Sequence, residues 1–270
     1  MFKKIFFGLV AFAILSVYAL PKIAAENKEF KVVFLDVGQG DASLIKMPGG
    51  QTILIDGGPN NVVLNRLGEH MPFYRRTIDT LIISHWHDDH IIGLREILER
   101  YRVYTLIYMA GGEKNELAED ILKTAQRLGV KILVLKNEQT LNYQDNCSLN
   151  LLSSLSLGVK ENGNNSIITR LNCRGLSFLL SGDNELAVEK ALLASGINLK
   201  VDIFKTSHHG SKTSNSREFL EALQPRLVVI PVGADNKFNH PADVVLEMMA
   251  DLRLNVKRTD LDSSVIIRRP

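Results

Sequence analysis

The stretch Ser84-His85-Trp86-His87-Asp88-Asp89-His90 places His85, His87, Asp89 and His90 within six residues, directly after the apolar run Leu81-Ile82-Ile83. In an extended segment residues two apart point the same way, so His85 and His87 can grip one ion as a strand ends. Asp89 and His90 fall where the chain turns into the helical pattern Ile91, Leu94, Ile97, Leu98, Tyr101, and they can face a second ion across the turn. Imidazole nitrogen mixed with a hard carboxylate oxygen suits zinc first, then manganese or iron. A single His-x-His deserves the reading of a solvated loop. The full spacing at a strand-to-helix junction points to a pair of divalent metal ions.

A binuclear hydrolytic site needs about three or four protein donors per ion and a bridging group. Three other places in the chain can supply them. Ser181-Gly182-Asp183 follows the strand pattern Leu176 to Leu180 and precedes a helix from Glu185 to Ser195. His208-His209-Gly210-Ser211 follows the strand Val201 to Phe204. Asn239-His240-Pro241 stands at the start of a helix from Ala242 to Leu252, where an anion is favoured. Each sits where a strand gives way to a helix, the edge at which open α/β sheets place their sites.

With these residues in view, the chain resembles the metallo-β-lactamase fold, whose signature His-x-His-x-Asp-His matches His85, His87, Asp89 and His90. A narrower likeness runs through Phe34 to Ala42, Leu54 to Gly58, Asn164-Asn165-Ser166, Ser181-Gly182-Asp183, Lys205 to Ser211, His240-Pro241 and Arg258-Thr259-Asp260. In that order these segments are similar to the hydrolase domain of bacterial competence-type DNA-internalisation proteins, from Phe30 to about Arg269. The resemblance implies an αββα sandwich in which His85 and His87 hold one metal and Asp89, His90 and one of the His208-His209 pair hold the other. Asp183 is then the bridge. It favours His209 as ligand and His208 as the neighbour that meets substrate, with a supporting hydrogen-bonding role as the alternative for one of the two.

Two departures matter. Antibiotic-hydrolysing members carry a third histidine for the first metal, yet no histidine occurs from Ile91 to Gly182, where Asn164 and Asn165 stand instead. An amide is a weaker donor than imidazole, so the first metal is expected to be the looser one, and β-lactam hydrolysis is disfavoured. The other departure is Leu261-Asp262-Ser263-Ser264, where relatives usually place a glycine.

Around these residues, strand and helix patterns alternate in two runs, Phe30 to Val134 and Ser148 to Arg269, with the polar stretch Lys136 to Gln144 as a surface connection. Gly38-Gln39-Gly40-Asp41 permits a tight turn and a close backbone approach to the metal loops; Gln39 and Asp41 either buttress the ligands or simply make a hairpin. Asp56-Gly57-Gly58, at another strand end, reads as site support. Neither glycine segment has the spacing of a phosphate-cradling or dinucleotide loop. At 270 residues and 45% hydrophobic, with no low-complexity linker, the material suits one enzyme domain from residue 27 to 270.

The N-terminus differs in kind. Lys3 and Lys4 precede an uncharged run from Ile5 to Leu20, and Ala24-Ala25 offer small residues for cleavage, so residues 1–25 read as an export signal or, alternatively, a retained membrane anchor. An exported or anchored protein is the expectation, with membrane association through this segment. The formal charge is +2, but Lys3, Lys4 and Lys22 supply three positive charges before the first acid, leaving −1 for the remainder. That excludes a broad basic surface for a long nucleic-acid tract. Attraction for an anion must be local, since two divalent ions, two carboxylates and a hydroxide leave about one positive charge at the centre. Lys205 and Lys212 flank the paired histidines and either add to that charge or are solvated. Cys147 and Cys173 are either a disulfide or two buried thiols, and His70 reads as a surface residue. Together these observations predict a metal-dependent exported hydrolase for an anionic ester, with phosphodiesters including DNA first. Asp89, Asp183, His208 and His240 are its catalytic groups. The alternatives are a choline-phosphate esterase or other ester or lactone hydrolase, and a non-catalytic metal-stabilised accessory protein.

Overall fold

Alternation along the first strand sets the layering. The computed structural model describes residues 29–112 and 114–269. In strand β1 (Phe30–Phe34), Val32 and Phe34 join one apolar cluster while Val33 joins another, so both faces are buried, as four apolar residues of five favour. The chain continues through β2 (Ser43–Lys46), β3 (Thr52–Ile55), helix α1 (Val62–His70), β4 (Thr77–Ile83), α2 (Asp88–Arg100), β5 (Arg102–Met109), α3 (Glu116–Arg127) and β6 (Lys131–Leu135). Next come β7 (Glu138–Asn142), β8 (Ser148–Ser153), β9 (Ile167–Cys173), β10 (Leu176–Leu180), α4 (Leu186–Ala194), β11 (Ile203–Lys205) and α5 (Arg217–Leu223). The last elements are β12 (Leu227–Ile230), α6 (Asp243–Asp251), β13 (Val256–Arg258), α7 (Thr259–Asp262) and β14 (Val265–Arg269).

Two seven-stranded sheets result, ordered β14-β1-β2-β3-β4-β5-β6 and β13-β12-β11-β10-β9-β8-β7. They face each other across a core that includes Phe30, Phe34, Ile53, Leu149 and Phe178. Val63, Leu67, Leu94, Ile97 and Ile121 cover the outer face of the first sheet, and Val188, Phe219, Leu220, Val245 and Met249 cover that of the second. This is the αββα sandwich that the resemblance implies. Strands β3 to β6 run parallel, as do β10 to β13, so each sheet gathers strand C-termini at one rim.

Three expectations are corrected. The division into two runs is not clean, because β14, from the end of the second run, crosses to the first sheet and pairs with β1 antiparallel, Phe34 against Val265. The stretch Lys136 to Gln144 is more than a connection: it carries β7, an edge strand whose alternating exposed and half-buried residues look polar because only one side is covered. His70 does end a helix, but it is half-buried, its carbonyl accepts from Lys31 Nζ at 2.8 Å, and burial, then Lys31, lowers its pKa. Of the cysteine alternatives the disulfide is the one found, Cys147 to Cys173. The export signal or anchor at residues 1–25 lies outside the described residues. Among those described, no helix is long and apolar enough to cross a membrane.

Candidate metal centre

Four loops at the C-terminal rim build the centre. Each leaves a parallel strand or the strand beside it: residues 84–87 after β4, 181–185 after β10, 206–216 after β11 and 231–242 after β12. The first brings His85 and His87 off the strand end and puts Asp89 and His90 in the first turn of α2. Glycine makes room for this. A Cβ at Gly40 would lie 2.2 Å from the Asp89 carbonyl, and one at Gly93 would lie 2.1 Å from the Gly57 carbonyl, so the Gly38 to Asp41 and Asp56 to Gly58 loops are drawn tight against the start of α2. Asp41 N donates to Asp89 O and Gly57 N to His90 O across these contacts.

Asp183 stands at the middle, 1% exposed. Its carboxylate lies 3.3 Å from His90 Nε2, 3.7 Å from His85 Nε2 and 3.9 Å from His209 Nε2. Asp89 meets His209 Nε2 at 3.2 Å. Two ligand sets emerge, each with its donor atoms within 4.8 Å of one another: Asp89, His90, Asp183 and His209, and His85, His87 and Asp183. Asp183 is common to both sets, so it would serve both ions if two are held.

The imidazoles are turned for ligation. His90 Nδ1 donates to Asp56 Oδ2 at 2.9 Å, and His209 Nδ1 donates to the Pro231 carbonyl at 2.9 Å. Ser84 Oγ gives its one proton to Asp56 Oδ2 at 2.7 Å, so at 3.0 Å it accepts from His85 Nδ1. All three rings thereby aim Nε2 at Asp183, the arrangement in which the far nitrogen is anchored and the near one binds metal. Nε2 of His85, Nε2 of His90 and Oδ1 of Asp183 are buried and have no hydrogen-bond partner. Buried polar atoms are normally satisfied, so convergent orphans of this donor type fit a pair of divalent ions. A third cluster, Asp41, Asp56 and His90, is already committed as support: Asp56 Oδ1 accepts from Ser84 N at 2.8 Å, and Asp41 pairs with the Lys205 ammonium.

Electrostatics agree with this layout. Burial opposes charge on Asp183, but the His90, His209 and His85 rings outweigh it and hold the carboxyl well below its usual range. Burial also opposes charge on His90 and His209, yet Asp183, with Asp56 for His90 and Asp89 for His209, raises both. His85 goes the other way, lowered well below its ordinary value by burial and by His90. The carboxylates are thus kept ionised by neighbouring positive charge, which divalent cations supply more strongly than ring protons.

Each residue singled out in the sequence can now be placed. His209 belongs to the four-donor set, while His208 stays outside both sets, partly exposed, with Nε2 3.8 Å from Asp183 and Nδ1 3.8 Å from Glu185. Both adopt left-handed backbone, φ 50° and 52°, which swings consecutive rings to different sides. His240 sits on the rim, 5.5 Å from the His208 ring, and burial and His208 lower its pKa to about 4. It stands just ahead of the helix expected there, though outside its cap. Helix α6 starts at Asp243 after Ala242, and His240 is placed instead by Asn236, whose Oδ1 accepts from His240 N at 3.0 Å. Lys205 is not solvated; it is 2% exposed and bound to Asp41. Asn165 and Gly163 line a cavity of about 260 Å³ with His85, Trp86, His87 and Lys114, and a Cβ at Gly163 would lie 2.9 Å from His87 Nε2.

Asp41 and Asp56 take the supporting role their sequence context suggests, while the rest of the supporting layer carries no such signal. Asn184 clamps the Asp183 loop, accepting from Ser166 N at 3.0 Å and donating to Ser181 O at 2.7 Å, while Asp183 N donates to Ser166 Oγ. Buried Glu189 on α4 accepts from Asn215 N and from Ser216, and Asn215 Oδ1 accepts from Ser207 N beside the paired histidines. Nothing in spacing marks these residues, because the partners lie up to 27 positions apart.

Two facing sheets under outer helices, with a His/Asp cluster suited to two metals on one rim, define the metallo-β-lactamase fold class. The Metallo-beta-lactamase superfamily model matches residues 35–233, and the chain belongs to that superfamily. It is 29% identical over 259 residues to ComE operon protein 3 of Bacillus subtilis (strain 168), covering 90% of this chain and 33% of that protein. It is 27% identical over 259 residues to Competence protein ComA of Neisseria gonorrhoeae, covering 91% of this chain and 33% of that one. This chain therefore spans 33% of the length of each of these relatives. Among solved structures, the metallo-beta-lactamase fold protein YhfI of Bacillus subtilis superimposes with a TM-score of 0.62 at 13% identity, over 89% of this chain and 100% of that one, a likeness of fold.

Proposed function

We propose that this chain is an exported hydrolase that uses two divalent ions, zinc or manganese, to cleave an anionic ester, with phosphodiesters, DNA among them, as the substrate class. The observation that carries the reading is the pair of ligand sets joined at Asp183. Asp89, His90, Asp183 and His209 would hold one ion, and His85, His87 and Asp183 the other. Such ions supply an acidified water and offset the charge that develops at phosphorus. The chain's own residues do the rest. Asp183 joins the two ligand sets, and Asp89, 3.2 Å from His209 Nε2, belongs to the four-donor one. His208 and His240, both lowered below the ordinary histidine value by burial, present neutral rings that hold and orient the ester from the rim. Competence proteins among the relatives favour a nucleic-acid ester, while the formal −1 of the chain after residue 25 argues for a short stretch of it rather than a long tract. Export is supported by the apolar run Ile5 to Leu20 and by the disulfide, a bond that persists in oxidising compartments.

The test is zinc- and manganese-loaded protein against a chromogenic phosphodiester, single-stranded DNA, a choline-phosphate ester and a β-lactam, with Asp183→Ala as control. Phosphodiester turnover that falls by orders of magnitude in Asp183→Ala supports the proposal. Brisk β-lactam turnover, or phosphodiester activity indifferent to Asp183, overturns it. Silence on every substrate moves the assignment to a metal-stabilised accessory protein.

A further inference from the structure

The rim opposite the metal centre has its own character. Phe73 is 89% exposed and Tyr74 53%, their rings packed edge to face at 5.5 Å. They lie just before β4, whose far end delivers His85, and β4 is seven residues long, so the two rims are about 23 Å apart at ~3.3 Å per residue. Arg75 and Arg76 follow them. Arg102 N donates to Arg76 O at 2.8 Å, and the Arg102 guanidinium lies 4.8 Å over the ring of Tyr104, itself 45% exposed. Asp79 is the acid paired with Arg75, at 3.7 Å. The other acids toward this rim, Glu29, Glu69 and Glu99, are paired with Arg268, Arg66 and Arg127. Exposed aromatic rings beside arginines are what a protein presents to the headgroup layer of an anionic bilayer.

Topology says which way the chain arrives. Strand β1 is antiparallel to β2, and β2 to β3, whereas β3 is parallel to β4. Phe30 therefore enters the fold at the same rim as Phe73, and Lys31 Nζ reaches the His70 carbonyl just ahead of that loop. The uncharged run ends at Leu20, and the eight residues from Pro21 to Lys28 reach at most about 27 Å fully extended. A run held in a membrane would keep this rim, and not the metal centre, against the lipid.

We propose that the Phe73–Tyr74 rim, with Arg75, Arg76, Arg102 and Tyr104, docks on an anionic lipid surface to which the apolar run tethers the chain, holding the metal centre outward toward soluble substrate. The proposal rests on the reading of the N-terminal run as a membrane anchor and not on the chemistry of the centre. Both native cysteines are in the disulfide, so a single introduced thiol can carry an environment-sensitive dye. Full-length Phe73→Cys and, on the opposite rim, Ala234→Cys are labelled and mixed with phosphatidylcholine vesicles with and without phosphatidylglycerol. The dye at position 73 shifts to the blue on phosphatidylglycerol vesicles and the dye at 234 does not. Arg102→Gln weakens that shift about fivefold in lipid concentration, the share of one basic residue at an anionic surface.

A shift at 234 equal to that at 73, or identical shifts with and without phosphatidylglycerol, overturns the surface. So does a shift at 73 that grows with protein concentration in the absence of vesicles, which would mean that a second copy covers the rim. A mature protein whose intact mass lacks Met1 to Leu20 overturns the tether. Hydrolysis is measured separately, so loss of the proposed activity with the position-73 shift intact identifies failure of the functional reading alone.

Discussion

Asp56→Asn tests whether the metal centre is set by hydrogen bonds made behind it. Asp56 is 1% exposed and accepts three: Ser84 N at 2.8 Å, Ser84 Oγ at 2.7 Å and His90 Nδ1 at 2.9 Å. Asparagine keeps the shape and leaves one oxygen for Ser84 N, but it puts an NH₂ where Oδ2 accepted two protons. His90 Nδ1 must then become an acceptor, which moves the ring proton to Nε2, the atom 3.3 Å from Asp183 that belongs to the four-donor set. Binding a metal there requires removing that proton without Asp56 to stabilise it on the other nitrogen. Loss of such a supporting carboxylate costs about 10- to 100-fold in metal affinity, equivalent to about 1.4–2.7 kcal/mol. The readout is competition against a chromophoric chelator. It should show the tighter ion weakened by that factor and the looser ion changed much less, with NMR reporting the His90 tautomer switched. A melting curve of the chelated variant controls for general damage, since the altered hydrogen bonds also cost about 1–3 kcal/mol of folding stability. Two ions bound with unchanged affinity, or both weakened equally, would refute the reasoning that Asp56 acts through His90.

Other outcomes follow from the same geometry. Under graded chelator, His85→Ala should lose its residual looser ion first and His209→Ala should lose the tighter site, by elemental analysis; unchanged metal content in both would refute the ligand sets. His240 has its pKa lowered to about 4 by burial and His208, below an unfolded value near 6.5, so its stability contribution is present above about pH 6.5 and is lost as pH falls through 4. Melting of chelated wild type should therefore decline over that window relative to His240→Ala, and parallel curves would count against it. Ser263 holds φ 59° and ψ −157°, a conformation natural to glycine, so Ser263→Gly should raise stability by about 1 kcal/mol in denaturant unfolding, and a loss would show that its side chain matters more than the backbone. Cys147→Ser with Cys173→Ser opens a loop of 26 residues and should cost about 3.5 kcal/mol by chain entropy, against which an unchanged midpoint would stand.

Much of the candidate ligand set is legible in the sequence because its geometry is local. His85 and His87 are two apart just past the end of β4 and Asp89 and His90 share a helix turn, so spacing shows that these four can converge; Asp183 and the His208-His209 pair each follow an apolar strand, and the preference for His209 over His208 comes from the family resemblance. What holds them is not local. Lys205 reads as a solvated lysine until Asp41, 164 positions away, is seen to meet it in the interior. Glu189 reads as one more polar helix residue until it takes the backbone of Asn215 and Ser216. The helix after His240-Pro241 is legible from its apolar period, but the hold of Asn236 on His240 N, which fixes where the ring stands ahead of that helix, is not. The same limit applied to the fold, where β7 and β14 sit at sheet edges and owe their pairing to β8 and β1 rather than to a pattern of their own. Periodicity reports which face of an element is buried, and it is silent on which distant element buries it. The ligands need only the first kind of information and the supporting shell needs the second. A carboxylate such as Asp56, marked in the sequence only as the end of Leu-Ile-Asp-Gly-Gly, can therefore orient His90, 34 positions away, while the spacing between them says nothing of the contact.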